Sequence, residues 1–210
     1  MEKLIIRHKL NPKIEIAAYS GHFATRHSHN SHYIDITPIK HLHMSAREAA
    51  IELARSIMLK DIDTIVCLDG SEVLGAFLAR HLAKKEILAL NSDKNIAVIT
   101  PEYDTNGQML FRDNMLSMIK NREVLLLVST VNSGKTAARA LECVGYYGGR
   151  VQGISAVFSS IDQIESIPIY SLFSAEDIPN YITSSTKGCP MCKSGQKISG
   201  ISNGYGFSKL

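Results

Sequence analysis

Residues 124–158 decide the fold, and they read VLLLVSTVNSGKTAARALECVGYYGGRVQGISAVF. The opening run of apolar residues is typical of a strand that is buried on both faces. It ends in a loop of small polar residues, and KTAARALECVGYYG then has the pattern of a helix. A second strand follows in GRVQGISAVFSS. A strand, a helix and another strand in this order predict two parallel strands joined by a crossover helix.

The same alternation extends along the chain. Further strands are predicted at residues 64–68 (TIVCL), 95–100 (NIAVIT) and 167–173 (IPIYSLF), and helices at 45–60 and 74–85. Ser45 and Glu48 are spaced as a capping box for the first helix. Residues 14–19 (IEIAAY) predict either a short strand or a helical turn. Together these patterns indicate an α/β fold, with a parallel β-sheet flanked by helices in a Rossmann-like arrangement.

Composition limits the class of protein. With 210 residues, 23.1 kDa and 45% hydrophobic residues, the chain can bury a sizeable core. The net charge of +3 is spread along the sequence, so we expect no nucleic-acid partner. The apolar runs are too short to cross a bilayer, and the N-terminal residues do not resemble a signal peptide, so no membrane association is expected. Four cysteines are too few for a disulfide scaffold, which favours a reducing cytoplasm.

The ligand site is expected where the strands end. In an open parallel sheet, ligands bind beyond the carboxyl ends of the strands. Three loops lie there: DGSEVLG (69–75), TPEYDTNGQMLFRDN (100–114) and STVNSGKT (129–136). In the last loop small residues let the backbone wrap around an anion, and the amides of a helix N-terminus can donate to it. Ser133, Lys135 and Thr136 add side-chain donors, so the loop predicts a phosphate site.

Two other interpretations of STVNSGKT remain open. The loop can be a plain strand-to-helix turn whose Ser or Asn caps the helix. It can also be a nucleotide-hydrolase P-loop, GxxxxGK[ST], since Gly134, Lys135 and Thr136 match that pattern. Ser129 stands where the P-loop has its first glycine, and no later apolar strand ends in a metal-binding Asp.

A family resemblance favours a different phosphate site. Residues 124–158 resemble the phosphoribosyl-diphosphate (PRPP) signature of the type I phosphoribosyltransferases, and TIVCLDGSEVLGAFLARHLA (64–83) resembles the family's pyrophosphate loop. SGHFATRHSHNSHYIDI (20–36) is similar to the N-terminal segment of the orotate phosphoribosyltransferases. The three resemblances occur in the family's order and cover about residues 20–160. They imply a hood at 1–44, a phosphoribosyltransferase-like core at 45–183 and an additional cysteine-containing tail at 184–210.

The resemblance implies a site, a reaction and partners. The PRPP or phosphate site comprises residues of the late loop: Ser129, Thr130, Asn132, Ser133, Gly134, Lys135 and Thr136. The pyrophosphate would lie against Asp69, Gly70, Ser71 and Glu72, and Arg112 would belong to a mobile loop. The implied reaction is the transfer of phosphoribosyl from PRPP to a nucleobase such as orotate, with Mg²⁺, in a homodimer. This places the protein in nucleotide metabolism, specifically pyrimidine biosynthesis.

The sequence departs from the family where catalysis needs charge. Ser129 and Thr130 stand where the family has two acidic residues that oppose positive charge at the anomeric carbon, and hydroxyl groups carry no charge. Two hypotheses follow. The chain is a divergent orotate-type transferase, or it is a catalytically impaired regulatory protein of the same fold that binds PRPP or a nucleotide. No catalytic residue is assigned.

The tail predicts a metal site. Cys189 and Cys192, in CPMCKSG, have the spacing of a zinc knuckle. A closed zinc site needs four ligands, and no second CxxC is present. The remaining ligands can come from the histidine-rich segment (His22, His27, His29 and His32) or from another subunit. An exposed thiol pair, or closure of the tail without metal, is the alternative.

Overall fold

The computed structural model describes residues 1–85 and 90–210. Its strands are β1 (Lys3–Arg7), β2 (Glu15–Ala24), β3 (His29–Asp35), β4 (Thr64–Cys67), β5 (Ala97–Ile99), β6 (Glu102–Tyr103), β7 (Met109–Leu110), β8 (Glu123–Val131), β9 (Arg150–Ser159), β10 (Gln163–Ile164), β11 (Ile167–Ser174), β12 (Thr183–Ser184), β13 (Gly200–Asn203) and β14 (Gly206–Lys209). The helices are α1 (Thr37–His41), α2 (His43–Ile57), α3 (Glu72–Leu82), α4 (Lys135–Tyr146) and α5 (Pro190–Lys193), with 3₁₀ turns at Asp113–Met118, Ala175–Asp177 and Thr186–Gly188.

The core sheet has the strand order β10-β11-β9-β8-β4-β5. All its neighbouring strands run parallel except β10, which is antiparallel to β11. Side chains alternate along β8: Leu125 and Leu127 pack on the side of α2 and α3, and Leu126 and Val128 on the side of α4. Both faces of the sheet are therefore covered, which explains why the strands are apolar throughout. The predicted parallel sheet flanked by helices is confirmed.

The second sheet is built from two distant parts of the chain. Its order is β12-β3-β2-β13-β14, and β1 also pairs with β2. We call it the hood sheet. The segment predicted as a tail thus supplies β13, which pairs in parallel with the last residues of β2 (Gly200 with Phe23, Ile201 with Ala24). The division of the chain at residues 44 and 183 stays a prediction, but its first and third parts share this sheet.

The predicted capping box at Ser45 is wrong. Helix α2 begins at His43, and its N-cap, Leu42, also ends α1. The amide of Ala46 donates to the Leu42 carbonyl at 2.9 Å, which is the first hydrogen bond of the helix. Because α1 leads directly into α2 at this residue, the helix starts before Ser45 and does not need its side chain as a cap. Glu48 instead contacts Arg47 and Asn11.

Residues 15–19 belong to a strand rather than a helical turn, because β2 extends over ten residues between β1 and β3, and Ile14 directly precedes it. Within residues 1–85 and 90–210, no helix has the length and apolar character that crossing a bilayer requires. The loops that follow β4 and β8 face the hood sheet, and this position defines the candidate site.

Candidate functional site

A cavity of about 400 Å³ lies between the hood sheet and the carboxyl ends of the core strands. Its wall includes the loop after β8, the loop after β4, the β6–β7 hairpin, strand β3 and the tip of the β13–β14 hairpin. From the predicted phosphate loop, the lining residues are Thr130, Asn132, Ser133, Gly134, Lys135 and Thr136. The structure therefore brings six of the seven predicted residues of this loop to one cavity.

The predicted phosphate loop lines the cavity at the point where α4 begins. Gly134, the N-cap of α4, has a left-handed conformation (φ 75°). The amide of Ala138 donates to the Gly134 carbonyl at 2.8 Å, so the amides of residues 135–137 precede the first intrahelical bond and have no helical acceptor. Ser160 and Tyr181 fix the loop, because their hydroxyl groups donate to the carbonyl and side-chain oxygens of Asn132 at 2.8 and 2.7 Å. The result is a preformed amide cradle.

Positive charge gathers around this cradle. Arg26, Lys135 and Arg139 line the cavity, and no carboxylate in residues 1–85 and 90–210 forms an ion pair with any of them. His27 lies among them, and burial lowers the pKa of its imidazole, which the charges of Arg139, Lys135 and Arg26 lower further. Unpaired cations next to free amides favour binding of an anion such as a phosphate.

Ser129 and Thr130 have different positions. Ser129 is buried, with 1% of its surface exposed, and its hydroxyl lies 3.4 Å from the Asp69 carbonyl oxygen. Thr130 lines the cavity. Of the two positions at which type I phosphoribosyltransferases have acidic residues, only Thr130 lines the cavity.

The loop after β4 brings one carboxylate to the cavity. Asp69 lines it, in a left-handed conformation (φ 56°) that Gly70 continues (φ 74°). Ser71 is buried and its hydroxyl donates to the Leu127 carbonyl at 3.3 Å, while Glu72 accepts from the Thr100 hydroxyl at 2.9 Å. Gly70, Ser71 and Glu72 do not line the cavity, and the hydrogen bonds of Ser71 and Glu72 support the loop that holds Asp69.

The tip of the β13–β14 hairpin covers Asp69. A Cβ atom on Gly204 would lie 2.2 Å from the Asp69 carboxyl carbon, so only glycine fits at this contact. The Lys40 ammonium group, which is buried, donates to the Gly204 carbonyl at 2.7 Å and lies 5.2 Å from the centre of the Tyr205 ring. The hairpin thus closes the side of the cavity on which the pyrophosphate loop was predicted.

Lys40 and Asp69 are electrostatically linked. Burial raises the pKa of Asp69, and the positive charge of Lys40 partly offsets that rise. Burial also lowers the pKa of Lys40, against the charges of Asp69 and Glu72. Each group therefore reduces the cost of burying the other.

Lys40→Met is expected to lower the free energy of unfolding by about 2 kcal/mol at pH 7, a Tm decrease of about 4–8 °C for a chain of this size. Without Lys40, the pKa of Asp69 rises further above its unfolded value. A carboxyl group with a raised folded-state pKa loses stability as pH increases. The deficit should therefore shrink as the pH falls toward 4, and thermal unfolding of both proteins between pH 4 and 7.5 measures it.

The double variant Lys40→Met, Asp69→Asn is the control. It removes both charges, and Asn tolerates the left-handed backbone of residue 69. It should be more stable than the single variant at pH 7 and lose the added pH dependence. A single variant whose deficit does not change with pH would contradict the link between these side chains.

Arg112, predicted in a mobile loop, lies outside the cavity wall. Its guanidinium group forms an exposed ion pair with Glu102, at 2.7 Å between Nη2 and Oε2. Arg26 takes the place at the β6–β7 hairpin instead: its Nη1 atom would be 3.1 Å from a Cβ atom on Gly107. A role of Arg112 in a moving loop stays a prediction.

Sequence reasoning missed several residues of the wall, namely Arg26, Lys40, Arg139, Gly204 and Tyr205. Arg139 follows Lys135 by four residues in α4 and so lies on the same helix face, which is a signal that the sequence contains. The contact of Lys40 with Gly204 joins residues 164 positions apart and has no local signal.

Another part of the cavity wall is aromatic and aliphatic. Tyr33, Ile34 and Ile36 line it, and the Tyr33 ring lies 4.6 Å from that of Phe207, centre to centre. Burial raises the pKa of Tyr33 to about 12, so its phenol stays protonated at neutral pH. A flat ring bound here would meet apolar contacts and a hydrogen-bond donor.

The predicted zinc ligands lie in a separate cluster. Cys189 and Cys192 meet His22 and His29, and one ligand atom from each lies within 4.8 Å of the others. His27 and His32, the other two candidates of the histidine-rich segment, line the cavity instead.

Comparison with known proteins shows the fold. No family model and no curated protein matches the sequence. The orotate phosphoribosyltransferase of Mycobacterium tuberculosis H37Rv, in complex with Fe(III) dicitrate, superposes with a TM-score of 0.53 at 14% identity, over 76% of this chain and 90% of that one. The same enzyme in complex with PRPP superposes with a TM-score of 0.52 at 14% identity, over 69% of this chain and 82% of that one.

A second kind of base-specific enzyme matches as well. The adenine phosphoribosyltransferase of Rhodothermus marinus DSM 4252 superposes with a TM-score of 0.50 at 17% identity, over 82% of this chain and 93% of that one. Orotate and adenine enzymes match about equally, so the likeness concerns the architecture and does not select a base. The chain has the fold of the type I phosphoribosyltransferases.

Proposed function

We propose that the cavity binds a 5′-phosphorylated ribose, either PRPP or a nucleotide, with the phosphate on the amides of residues 134–137. The observation that carries this proposal is a set of three cations around the start of α4, Arg26, Lys135 and Arg139, which form no ion pair with any carboxylate of residues 1–85 and 90–210. A phosphate would neutralise them and accept the free amide hydrogens. The PRPP bound to a protein of the same fold supports this ligand class.

We further propose that the protein is an orotate-type phosphoribosyltransferase. In this reaction the bond from C1 of the ribose to the diphosphate oxygen breaks, and a bond from C1 to a ring nitrogen of the base forms. The diphosphate leaves with the electron pair, and the base nitrogen loses its proton. The aromatic wall at Tyr33 would hold the base, and the Asp69 loop would face the diphosphate.

Mg²⁺ belongs to this proposal. Mg²⁺ is usually bound through one or two carboxylates, waters and substrate phosphates. Asp69 is the carboxylate that lines the cavity, so it would hold the ion together with diphosphate oxygens. The ion would neutralise charge on the leaving diphosphate. A homodimer in the cytoplasm completes the proposal, and size-exclusion chromatography with light scattering tests the dimer.

A specific observation favours a second candidate, a regulatory protein that binds PRPP or a nucleotide without transfer. The Ser129 side chain is buried, Thr130 is uncharged, and Lys40 offsets the charge of Asp69. Little negative charge is left to oppose a developing cation at C1. Calorimetry with PRPP, followed by a pyrophosphate-release assay with orotate and Mg²⁺, separates the candidates. Binding without release excludes transfer to orotate, and absence of binding contradicts both candidates.

Thr130→Asp is expected to increase the rate of pyrophosphate release by about 10–100-fold if the chain is a transferase that lacks one charge, since single groups that stabilise a transition state contribute about that much or more. Thr130 is the position to change because its side chain faces the cavity. Ser129→Asp would bury a carboxylate without a partner and is expected to destabilise the fold.

Thr130→Asn is the matched control, because it has nearly the shape of Asp without the charge. A rise in both variants would show that hydrogen bonding rather than charge is responsible. No rise in Thr130→Asp, with PRPP binding retained, would favour the regulatory candidate.

A further inference from the structure

Four side chains outside the cavity converge on one point. His22 and His29 come from β2 and β3, Cys189 is the N-cap of α5, and Cys192 lies within α5. The Nε2 atom of His22 lies 2.9 Å from Nδ1 of His29, 3.6 Å from the Cys189 sulfur and 3.7 Å from the Cys192 sulfur. The Cys192 sulfur lies 3.3 Å from Nδ1 of His29.

These distances suit a tetrahedral ion. Zinc binds imidazole nitrogen at about 2.0–2.1 Å and thiolate sulfur at about 2.3 Å, so neighbouring ligand atoms of a tetrahedral site are about 3.3–3.8 Å apart. The three sulfur–nitrogen distances fall in this range. The nitrogen–nitrogen distance of 2.9 Å needs a ring displacement of a few tenths of an ångström to match it.

The tautomer of His22 is suited to a metal ligand. Its Nδ1 atom lies 2.8 Å from the carbonyl oxygen of Gln196, and a carbonyl can only accept, so Nδ1 carries the hydrogen. In the neutral ring, Nε2 then has its lone pair free, and that lone pair faces the other three ligand atoms. A ligating histidine that donates its second nitrogen to a carbonyl is the usual arrangement around protein-bound metals.

Three of the four side chains are buried. The exposed fractions of His22, His29 and Cys189 are 0%, 6% and 1%. Buried polar groups need partners, and a cation would satisfy all of these at once. The amide of Cys192 points at the Cys189 sulfur at 3.4 Å, and Gly195 turns the chain behind the pair in a left-handed conformation (φ 75°). An amide directed at a cysteine sulfur stabilises the thiolate that a metal requires.

We propose that His22, His29, Cys189 and Cys192 bind one Zn²⁺ ion in a closed structural site. Two soft sulfur and two imidazole ligands in a tetrahedral arrangement select zinc over the harder divalent cations. Four protein ligands leave no position for a substrate. This site goes beyond the proposed function and does not depend on it.

The ion has a defined mechanical role. It joins residues 167 positions apart in sequence, from the two strands of the hood to the segment that precedes the β13–β14 hairpin. Backbone pairing between β13 and β2 is short: Gly200 pairs with Phe23 and Ile201 with Ala24, and the amide of Ser199 donates to the His22 carbonyl at 2.7 Å. The zinc ion therefore adds to the contacts that hold the hairpin against the hood, and the hairpin tip covers Asp69 through Gly204.

The first test is metal content. The full chain, purified without added metal, should contain about one zinc ion per chain by plasma mass spectrometry, and Cys189→Ser and His22→Asn should lose it almost completely. Cys143→Ser and His41→Asn replace a thiol and an imidazole outside the cluster and should keep it. Wild-type protein without zinc, or zinc retained by the cluster variants, would overturn the proposal.

The second test does not rely on variants that fold. Chelation of zinc from the wild-type protein should increase amide hydrogen exchange in residues 198–209, and adding Zn²⁺ should restore protection. Unchanged exchange in zinc-free protein would show that the ion does not hold the hairpin. Both readouts are independent of PRPP, so a failed PRPP assay leaves this inference standing and a failed metal assay leaves the proposed function standing.

Discussion

Replacing Lys135 and Arg139 together by glutamate is expected to abolish the phosphate binding proposed for the cavity, with affinity for PRPP and inorganic phosphate falling by at least about 100-fold. A hydrogen bond to a charged group contributes about 1.5–3 kcal/mol. Two such bonds are removed here, and the new carboxylates repel the anion. Both side chains are exposed, and Lys135 is the first residue of α4, where an acidic residue is favourable, so the fold should not suffer. Isothermal titration calorimetry measures the result.

The matched control reverses two other exposed cations, Arg80 and Lys120. It changes the net charge by the same amount, but neither residue lines the cavity. It should bind PRPP like the wild-type protein. An equal loss in both double variants would mean that overall charge attracts the ligand, and retained affinity in the first would place the phosphate elsewhere.

Gly134→Ala is expected to remove phosphate binding and to lower Tm by about 4–8 °C. The left-handed backbone of this residue (φ 75°) disfavours any side chain by about 1–2 kcal/mol. In addition, the new Cβ atom would lie 2.9 Å from Ile161 Cδ1 and 3.2 Å from Ile164. The loop is expected to move in order to relieve the backbone strain and the side-chain clash. The free energy of unfolding should fall by about 2 kcal/mol, which corresponds to this Tm change in a chain of 210 residues. Calorimetry with PRPP and thermal unfolding measure the two effects.

Gly145→Ala provides the comparison within the same helix. Gly145 lies near the end of α4, and a Cβ atom there meets no other atom within 4 Å. Alanine should stabilise the helix by about 0.5–1 kcal/mol. If the two variants had the same Tm and the same affinity for PRPP, Gly134 would have no special role in the predicted phosphate loop.

The parts of the fold that the sequence predicts correctly are those encoded by local patterns. The strand β8, the loop after it and helix α4 are contiguous, and the helix begins at Lys135 as predicted. The hood shows the opposite case. The sequence of residues 14–19 does not distinguish a strand from a helical turn. A strand forms only with its pairing partners, and the partners of β2 include β13, which lies far along the sequence.

Sequence order also limited the prediction of the site. The histidine-rich segment predicts metal ligands, but its spacing does not select among its four histidines. A register shift in β2 between Ser20 and Phe23, together with the turn into β3, directs His22 and His29 to the cysteines. His27 and His32 then face the cavity. Such choices depend on backbone geometry and on residues more than 150 positions away, which no local pattern contains.

The hood sheet has a consequence for biosynthesis. During translation the strands β1 to β3 emerge first, whereas β13 and β14 emerge only after the whole core sheet. The core can pack as soon as β11 is available, but β2 must wait for its last partner with one end of its edge unpaired. An unpaired strand edge is a site of misassociation for a nascent chain. The chain must therefore be synthesised through all strands of the core sheet before the hood sheet, and the cavity wall that its hairpin supplies, can be completed.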